Sequence, residues 1–400
     1  MRRVLHVIET MAPREGGPPR VVAGLAVAQC AMGIDAHVLC GDGDALPEYL
    51  RYWEAHAPGF PSASVHSIAG PGLWGRRAAL RVWLRTRLRE FDVVHIHQLW
   101  RLVPTVASSA ARVLGVPYLI APHTSLSPWA LSQKSAKKRL ARWLAWDRIF
   151  RGASGFHALN QFEAAEIRAC LGAGGPAVFV VPNGVSLGEF AGIASAPAPA
   201  QIARVLSTPE GARPFVLFLA RLHTMKGPDL LLEAFARLAQ GRPALQLVFA
   251  GPDFGLLRPL QRRAAQLQLL ERVHFLGLVS GSCRLWLLEN AVCLSQPSRD
   301  EGSSLSILEG LACARPVVIS EHCKFPEVAA QQAGVIVPLA VPELAAALHL
   351  YAQDPARRCR DGRNARRLVE SCYTWDTIAR QAEQMYVQAI GGAAPQTALR

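Results

Sequence analysis

Two carboxylates, Glu301 and Glu309, stand with seven residues between them in the run DEGSSLSILEGLA, and two cations, Arg221 and Lys226, share the shorter run RLHTMKG. The cations occupy a strand-to-helix turn. Pro228 and Asp229 follow, and proline and an acid both favour the first turn of a helix. An arginine fork and a lysine point charge placed there can hold a diphosphate. Glu301 falls in a loop, and Ser303 or Ser304 can open the next helix. The amides of Gly302 to Leu305 would then face an anion. Glu309 lies inside that helix, in the otherwise apolar stretch LSILEGLA, where a carboxylate can accept paired hydrogen bonds from a ribose diol. A merely capped surface helix would leave Glu309 unexplained.

Histidines form the second group. His95 and His97 share one strand face by their period-two spacing. For His95 we expect a ring satisfied within a sheet. For His97 that reading and a functional one stand level. His123 follows Pro122 at a strand end, where a functional role is expected. Three histidines could suggest zinc, but no nearby carboxylate or cysteine completes a set, so no metal is expected. Gly16-Gly17 makes a flexible turn after the first strand, with amides that could face an anion. The nine cysteines are scattered without a CxxC pair, and are read as reduced.

The elements that must position these residues are short apolar runs alternating with amphipathic stretches. Twelve such runs, from RRVLHVIE to AGVIVP, read as parallel strands of βαβ units. In open parallel sheets ligands bind beyond the carboxyl ends of strands, and the polar residues above fall there. We expect two Rossmann-like domains facing a cleft, at 1–190 and 211–372, joined by an Ala/Pro-rich linker at 191–210. A helix from Trp375, within 374–392, carries Ile378, Ala382, Met385 and Tyr386 on one face. The last residues, GGAAPQTALR, read as a frayed end.

Composition narrows the class. Of 400 residues, 50% are hydrophobic and 18% charged, which excludes wholesale disorder. No apolar run is long enough for a membrane span. MRRVLHVIET reads as a strand rather than a signal peptide, so a cytoplasmic protein is expected. The formal net charge is +13, which points to an anionic partner without naming it.

The residues just described resemble those of the GT-B glycosyltransferases of the large retaining family 4 group. The resemblance covers nearly the whole chain. It is carried by Gly16-Gly17, DVVHIHQLW, PHTSLSPWAL, VPNGV, ARLHTMKGPDLLLEAF, VFAGPD, VHFLG and EGSSLSILEGLACARPVV, and by the segment from Trp375. It implies a nucleotide-diphosphate sugar as donor and no metal or other cofactor. Arg221 and Lys226 would neutralise the diphosphate. Gly16, Gly17 and the Ser304-Leu305 amides would help hold phosphate oxygens. Glu309 would take the ribose, and Leu278-Val279 would flank the base. Glu301 would contact the donor sugar, and His123 the sugar or the reaction centre. His97 and Trp129 would lie on the acceptor side, and the last helix would cross back onto the first domain. Many relatives have Phe-Gly where this chain has Ser303-Ser304, and Lys324 stands where they often have Asn or another polar residue.

Residues 1–185 carry 21 basic and 12 acidic side chains, against 22 and 18 in the remainder, so most of the excess lies on the expected acceptor side. Two stretches concentrate it. Arg81, Arg85 and Arg89 run beside Leu80, Trp83, Leu84 and Leu88. Lys134, Lys138 and Arg142 run beside Leu140, Trp143 and Leu144. Such helices can lie on an anionic membrane, or their apolar faces can pack in a core with the cations solvated. A lipid-linked acceptor in polysaccharide assembly is the functional expectation. A sugar-nucleotide epimerase is the nearest competing enzyme. A non-catalytic nucleic-acid or membrane binder fits the charge, but no nucleic-acid motif appears and Glu301 and Glu309 would have no role.

Overall fold

Short runs of Val, Ile, Leu and Phe become the strands of two parallel sheets. The computed structural model describes residues 1–133, 135–190, 197–208 and 211–391, without the side chains of residues 144, 208, 211 and 212. The first sheet holds β1 (Arg3–Val7), β2 (Asp35–Cys40), β3 (Val65–Ser67), β4 (Val93–His97), β5 (Tyr118–Ala121), β6 (Gly155–Ala158) and β7 (Val178–Val180). A short antiparallel pair follows, β8 (Ser207–Thr208) and β9 (Gly211–Ala212). The second sheet holds β10 (Phe215–Leu219), β11 (Gln246–Ala250), β12 (Val273–Gly277), β13 (Cys293–Gln296), β14 (Val317–Ser320) and β15 (Gly334–Val337).

Strand orders are β3-β2-β1-β4-β5-β6-β7 and β12-β11-β10-β13-β14-β15. Both are doubly wound, and both reverse direction beside their first strand, at β1/β4 and at β10/β13. Those are the positions where α/β sheets open a crevice at the strands' carboxyl ends. The chain divides into two compact units, Met1–Gly184 with Trp375–Arg400, and Val185–Thr374.

In the first unit, one sheet face packs on helices Gly72–Arg87, Leu102–Leu114 and Asp147–Gly152, around Leu80, Leu84, Val103 and Phe150. The opposite face is covered by helices Gly17–Ala31 and Trp375–Gly391, which meet around Leu25, Ile378, Met385 and Tyr386. The last helix closes against the first very tightly: a Cβ on Gly24 would stand 2.2 Å from the Trp375 ring, and one on Gly184 would stand 2.7 Å from it. In the second unit, helices Pro228–Ala239, Leu257–Gln266 and Val341–Gln353 pack on one face, and Gly281–Asn290, Leu305–Ala312 and Pro355–Cys372 on the other.

All twelve expected strands are present. Strand β3 was not expected: its VHS sequence has no apolar run, and it sits half-buried at the sheet edge. The first helix begins at Gly17 rather than near Val21, because Pro18 and Pro19 occupy first-turn positions where their missing N–H groups cost nothing. Within the Ala/Pro-rich stretch, residues 191–196 and 209–210 lie outside the described residues. From Ala200 to Leu206 the chain is helical, with Ile202 and Leu206 fully buried in the second unit's core, so this part is no linker. The expected frayed end at 392–400 also lies outside the described residues.

Leu80, Leu84 and Leu88 are fully buried, which gives that basic helix to the core and leaves Arg81, Arg85 and Arg89 in solvent. The other basic stretch runs as helix Ser135–Ala141, a π-turn Arg142–Trp146 and helix Asp147–Gly152. Leu140 and Trp143 there remain in solvent, Trp143 at 74% exposure. Lys134 and the Leu144 side chain lie outside what the structure describes. Among the described residues no helix is long and apolar enough to cross a membrane. All nine cysteines are free thiols.

Candidate functional site

In the second unit the β10/β13 switch point gathers the residues that the spacing singled out. Strand β10 leads into Arg221 and a 3-10 turn, Thr224–Lys226. Strand β13 leads into Pro297 to Gly302. The two loops are tied together by Arg299, whose guanidinium donates to both carboxylate oxygens of Asp229 at 2.8 and 2.5 Å, and whose N–H donates to the Met225 carbonyl at 2.7 Å. The Lys226 ammonium donates to the Glu301 carboxylate, a largely buried pair. Gln296 also donates to Glu301 Oε2, at 2.6 Å. The Arg221 guanidinium lies over the Phe254 ring at 5.1 Å.

Ser304 opens helix Leu305–Ala312: its Oγ accepts from the Ile307 N–H at 3.4 Å. The hydroxyls of Ser304 and Ser306 both donate to Gln296 Oε1 at 2.9 Å. One amide side chain therefore links the helix start to Glu301. Glu309, one turn on, is only 2% exposed and pairs with Arg284 at 2.8 Å, and Arg284 also reaches Glu189 at 2.9 Å. Burial works against the Arg284 charge, but Glu309 and Glu189 more than offset it and raise its pKa. Leu278 is 68% exposed, while Val279 beside it is buried. Lys324 pairs with Asp300 at 3.0 Å and so is held by the loop.

Arg284, Arg299 and Gln296 were missed in the sequence. Gln296 carried a signal, since it ends a strand one loop before Glu301. Arg284 and Arg299 carried none, because each is defined by a partner distant in the chain.

In the first unit, helix Gly17–Ala31 starts just after Gly16, which takes φ 84°. A Cβ at Gly16 or Gly17 would meet nothing within 4 Å, so both backbones face open space. Glu9, also missed although it lies two residues beyond β1, accepts from the Val103 N–H at 2.9 Å. Burial pushes its carboxyl up, against the pull of that N–H and of Arg101. Trp129 is partly exposed on helix Pro128–Ser132, which Ser127 caps by accepting from the Ala130 N–H at 3.1 Å.

Beyond the ends of β4 and β5 four non-glycine residues adopt positive φ: Gln98 (69°), Trp100 (62°), His123 (49°) and Thr124 (63°). Such backbone costs about 1–3 kcal/mol per residue and persists where the surroundings impose it. Buried Glu163 does so for the His123 loop, accepting from the Thr124 N–H at 2.6 Å and the Leu159 N–H at 2.7 Å. His123 is half-buried, and its Nε2 lies 3.0 Å from His97 Nδ1.

His97 is fully buried. Its Nε2 lies 3.0 Å from His6 Nδ1, and His6 Nε2 lies 2.7 Å from Gln29 Oε1. Gln29 Nε2 donates to the Tyr386 hydroxyl at 3.0 Å, which lies 3.0 Å from His95 Nδ1. His95 Nε2 lies 3.1 Å from His157 Nδ1, and His157 Nε2 meets the Val181 carbonyl at 2.6 Å. Burial holds all five rings neutral. It lowers His6 and His157 to about 4 and His123 to about 3, with His95 and His97 also well below the usual value. His6, His95 and His97 offer ring nitrogens within 4.8 Å of one another, a grouping that could hold a metal. Each ring already uses both nitrogens in the hydrogen bonds above, and a metal would have to break them.

The architecture, two doubly wound sheets each with its polar residues at the switch point, is that of the GT-B glycosyltransferases. It matches the structure of Anabaena Alr3699/HepE in complex with UDP and glucose, with a TM-score of 0.76 at 20% identity over 97% of this chain and 100% of that one. Residues 203–368 match the family model "Glycosyl transferases group 1", and residues 16–184 match "Glycosyl transferase 4-like domain". The D-inositol 3-phosphate glycosyltransferase of Streptomyces avermitilis is 32% identical over 323 residues, 78% of this chain and 68% of that one. The MMP alpha-(1->4)-mannosyltransferase of Mycolicibacterium hassiacum is 27% identical over 365 residues, 87% of this chain and 80% of that one. The chain belongs to the group 1 glycosyltransferases of the family 4 type, enzymes that use a nucleotide sugar.

Proposed function

We propose that the chain is a retaining, metal-independent glycosyltransferase that moves a sugar from a nucleoside diphosphate sugar to a hydroxyl of a lipid-linked or oligosaccharide acceptor in glycan assembly. The observation that carries the donor assignment is the Lys226–Glu301 pair at the β10/β13 switch point, with the start of helix Leu305–Ala312 held to the same network through Gln296. Breaking the anomeric C–O bond places charge on the leaving diphosphate and makes the sugar oxocarbenium-like. Lys226 exchanges Glu301 for a phosphate oxygen, Arg221 adds a second cation, and the Ser304-Leu305 amides add dipoles aimed at the same charge. Two fixed cations supply what a metal would otherwise supply. Glu301, released from Lys226, meets the donor sugar. Glu309, held by Arg284, takes the ribose hydroxyls, and Leu278-Val279 flanks the base. In the first unit His123 meets sugar, Gly16 and Gly17 present amides to phosphate, and Trp129 lies toward the acceptor. Retention proceeds by same-face attack, with the leaving phosphate accepting the incoming hydroxyl's proton, and no covalent nucleophile is assigned.

The lipid-linked acceptor is supported by Leu140 and Trp143, which stand in solvent beside Lys137 and Arg139. One experiment tests both parts. Wild type and Lys226→Ala are assayed against a panel of nucleotide sugars, with acceptors free or embedded in anionic vesicles. Lys226→Ala is expected to lose transfer by about a hundredfold or more while unfolding normally. Unaltered turnover at saturating donor would remove the diphosphate assignment. Equal rates on free and vesicle-bound acceptors at low salt would remove the lipid-surface assignment.

A further inference from the structure

The buried histidines of the first unit form one continuous hydrogen-bonded chain with a single direction. It starts at a group that can only accept, the Val181 carbonyl. His157 must therefore carry its proton on Nε2. A neutral imidazole has one N–H, so His157 Nδ1 is bare and accepts from His95 Nε2–H. His95 Nδ1 is then bare and takes the Tyr386 O–H. With its proton so committed, the Tyr386 oxygen can only accept from Gln29, which fixes the amide with NH2 toward Tyr386 and Oε1 toward His6. His6 donates from Nε2 to that oxygen, and its bare Nδ1 accepts from His97 Nε2–H. His97 Nδ1 in turn accepts from His123 Nε2–H. Every tautomer, and the Gln29 amide orientation, follows from the first link. At the far end, His123 keeps a bare Nδ1, for which the described residues provide no hydrogen-bond partner.

We propose that Tyr386 and Gln29 are positioning residues that fix the tautomer of His123, so that its Nδ1 meets substrate as a hydrogen-bond acceptor and selects a hydroxyl group. The inference rests on the reading of His123 as a substrate contact. It gives the last helix a part in the reaction: that helix supplies, through Tyr386, the hydroxyl that sets the polarity of a ring on another element. Neutrality of the whole chain is required, because a doubly protonated ring has no acceptor and would interrupt the series. Burial, complete for His6, His95, His97 and His157 and partial for His123, supplies it.

Tyr386→Phe removes the hydroxyl while keeping the ring that fills the core. The Gln29 amide then loses its acceptor and can turn, donating to His6 instead. Reversal of that one amide lets His6, His97 and His123 all take the opposite tautomer, with an N–H on His123 Nδ1. Gln29→Met removes the relay at the next link. The test is nitrogen NMR of protein labelled at histidine, which distinguishes protonated from bare ring nitrogens, with His123→Asn used to assign the His123 signals. In the wild type, His123 is expected as the Nε2–H form alone. In Tyr386→Phe and in Gln29→Met an Nδ1–H form is expected beside it, with kcat/KM for transfer lowered about tenfold and thermal unfolding still cooperative. A purely structural role would lower stability without changing the tautomer. If His123 keeps the Nε2–H form in both variants, or shows Nδ1–H in the wild type, the proposal is overturned. Stoichiometric binding of added zinc to the wild type, with loss of the His6 and His97 proton signals, would overturn it too. If the tautomer changes as expected but His123→Asn transfers sugar normally, the relay stands and the reading of His123 as a substrate contact fails.

Discussion

Gly227 shows how one backbone position controls the candidate donor site. It takes φ 69°, and a Cβ there would stand 2.0 Å from the Pro297 carbonyl oxygen. The loop bearing Lys226 therefore presses directly on the loop bearing Glu301, and only glycine permits it. Gly227→Ala is expected to destabilise the second unit by about 2–4 kcal/mol, the sum of left-handed strain and steric overlap. A denaturant titration checks this, and an unchanged midpoint would mean the two loops do not press together as described. At this scale the sequence was readable where a feature sat in a short run: the strand-to-helix turn at Lys226 and Gly227, and Ser304 at the helix start. It was unreadable for Arg284, whose role comes from Glu309 and Glu189, and for Arg299, whose role comes from Asp229. Such pairs exist only once βα connections have brought distant loops to one sheet edge.

The helix Trp375–Gly391 makes the same point for elements. Its amphipathic spacing was legible, but not that it would meet helix Gly17–Ala31 with an indole where a side chain would otherwise be. Gly24 lies within a helix, and alanine there would ordinarily stabilise it by about 1 kcal/mol. The Trp375 ring reverses the sign, since a Cβ 2.2 Å from Cε2 must displace it. Gly24→Ala is expected to loosen the last helix, seen as faster amide exchange over residues 375–391 with the second unit unaffected. Unchanged exchange there would show that the indole has room to move. Elements whose signal was an apolar run or an amphipathic spacing were found, and those whose signal was something else were not. Strand β3 is a half-buried edge of three residues. The first helix hid its start behind two prolines, and helix Ala200–Leu206 lay within an Ala/Pro-rich stretch that reads as linker.

For the molecule as a whole, the neutral histidine chain makes stability depend on pH, and on one unit more than the other. In an unfolded chain a histidine titrates near 6.5. Folded, His6, His157 and His66 titrate at about 4 and His123 at about 3, all in the first unit and all chiefly through burial. Between those values and 6.5 the unfolded state binds more protons, so stability is full above about pH 6.5 and falls as pH drops through the window. Each such ring removes up to about 1.4 kcal/mol per pH unit, so several together outweigh most of a domain's stability within a unit or two. In the second unit His223 and His274 are lowered, but neither is fully buried. Intrinsic fluorescence separates the two units, because eight of the nine tryptophans belong to the first. Urea unfolding followed by tryptophan emission is therefore expected to show a far lower midpoint at pH 5.5 than at pH 7.5. Half-molar salt removes the competing cause, since the +13 net charge also disfavours a compact state on acidification but is screened within a few ångströms there. A midpoint that stays level between the two pH values in that salt would mean the five rings are not held neutral, and the directed chain ending at His123 would fall with it.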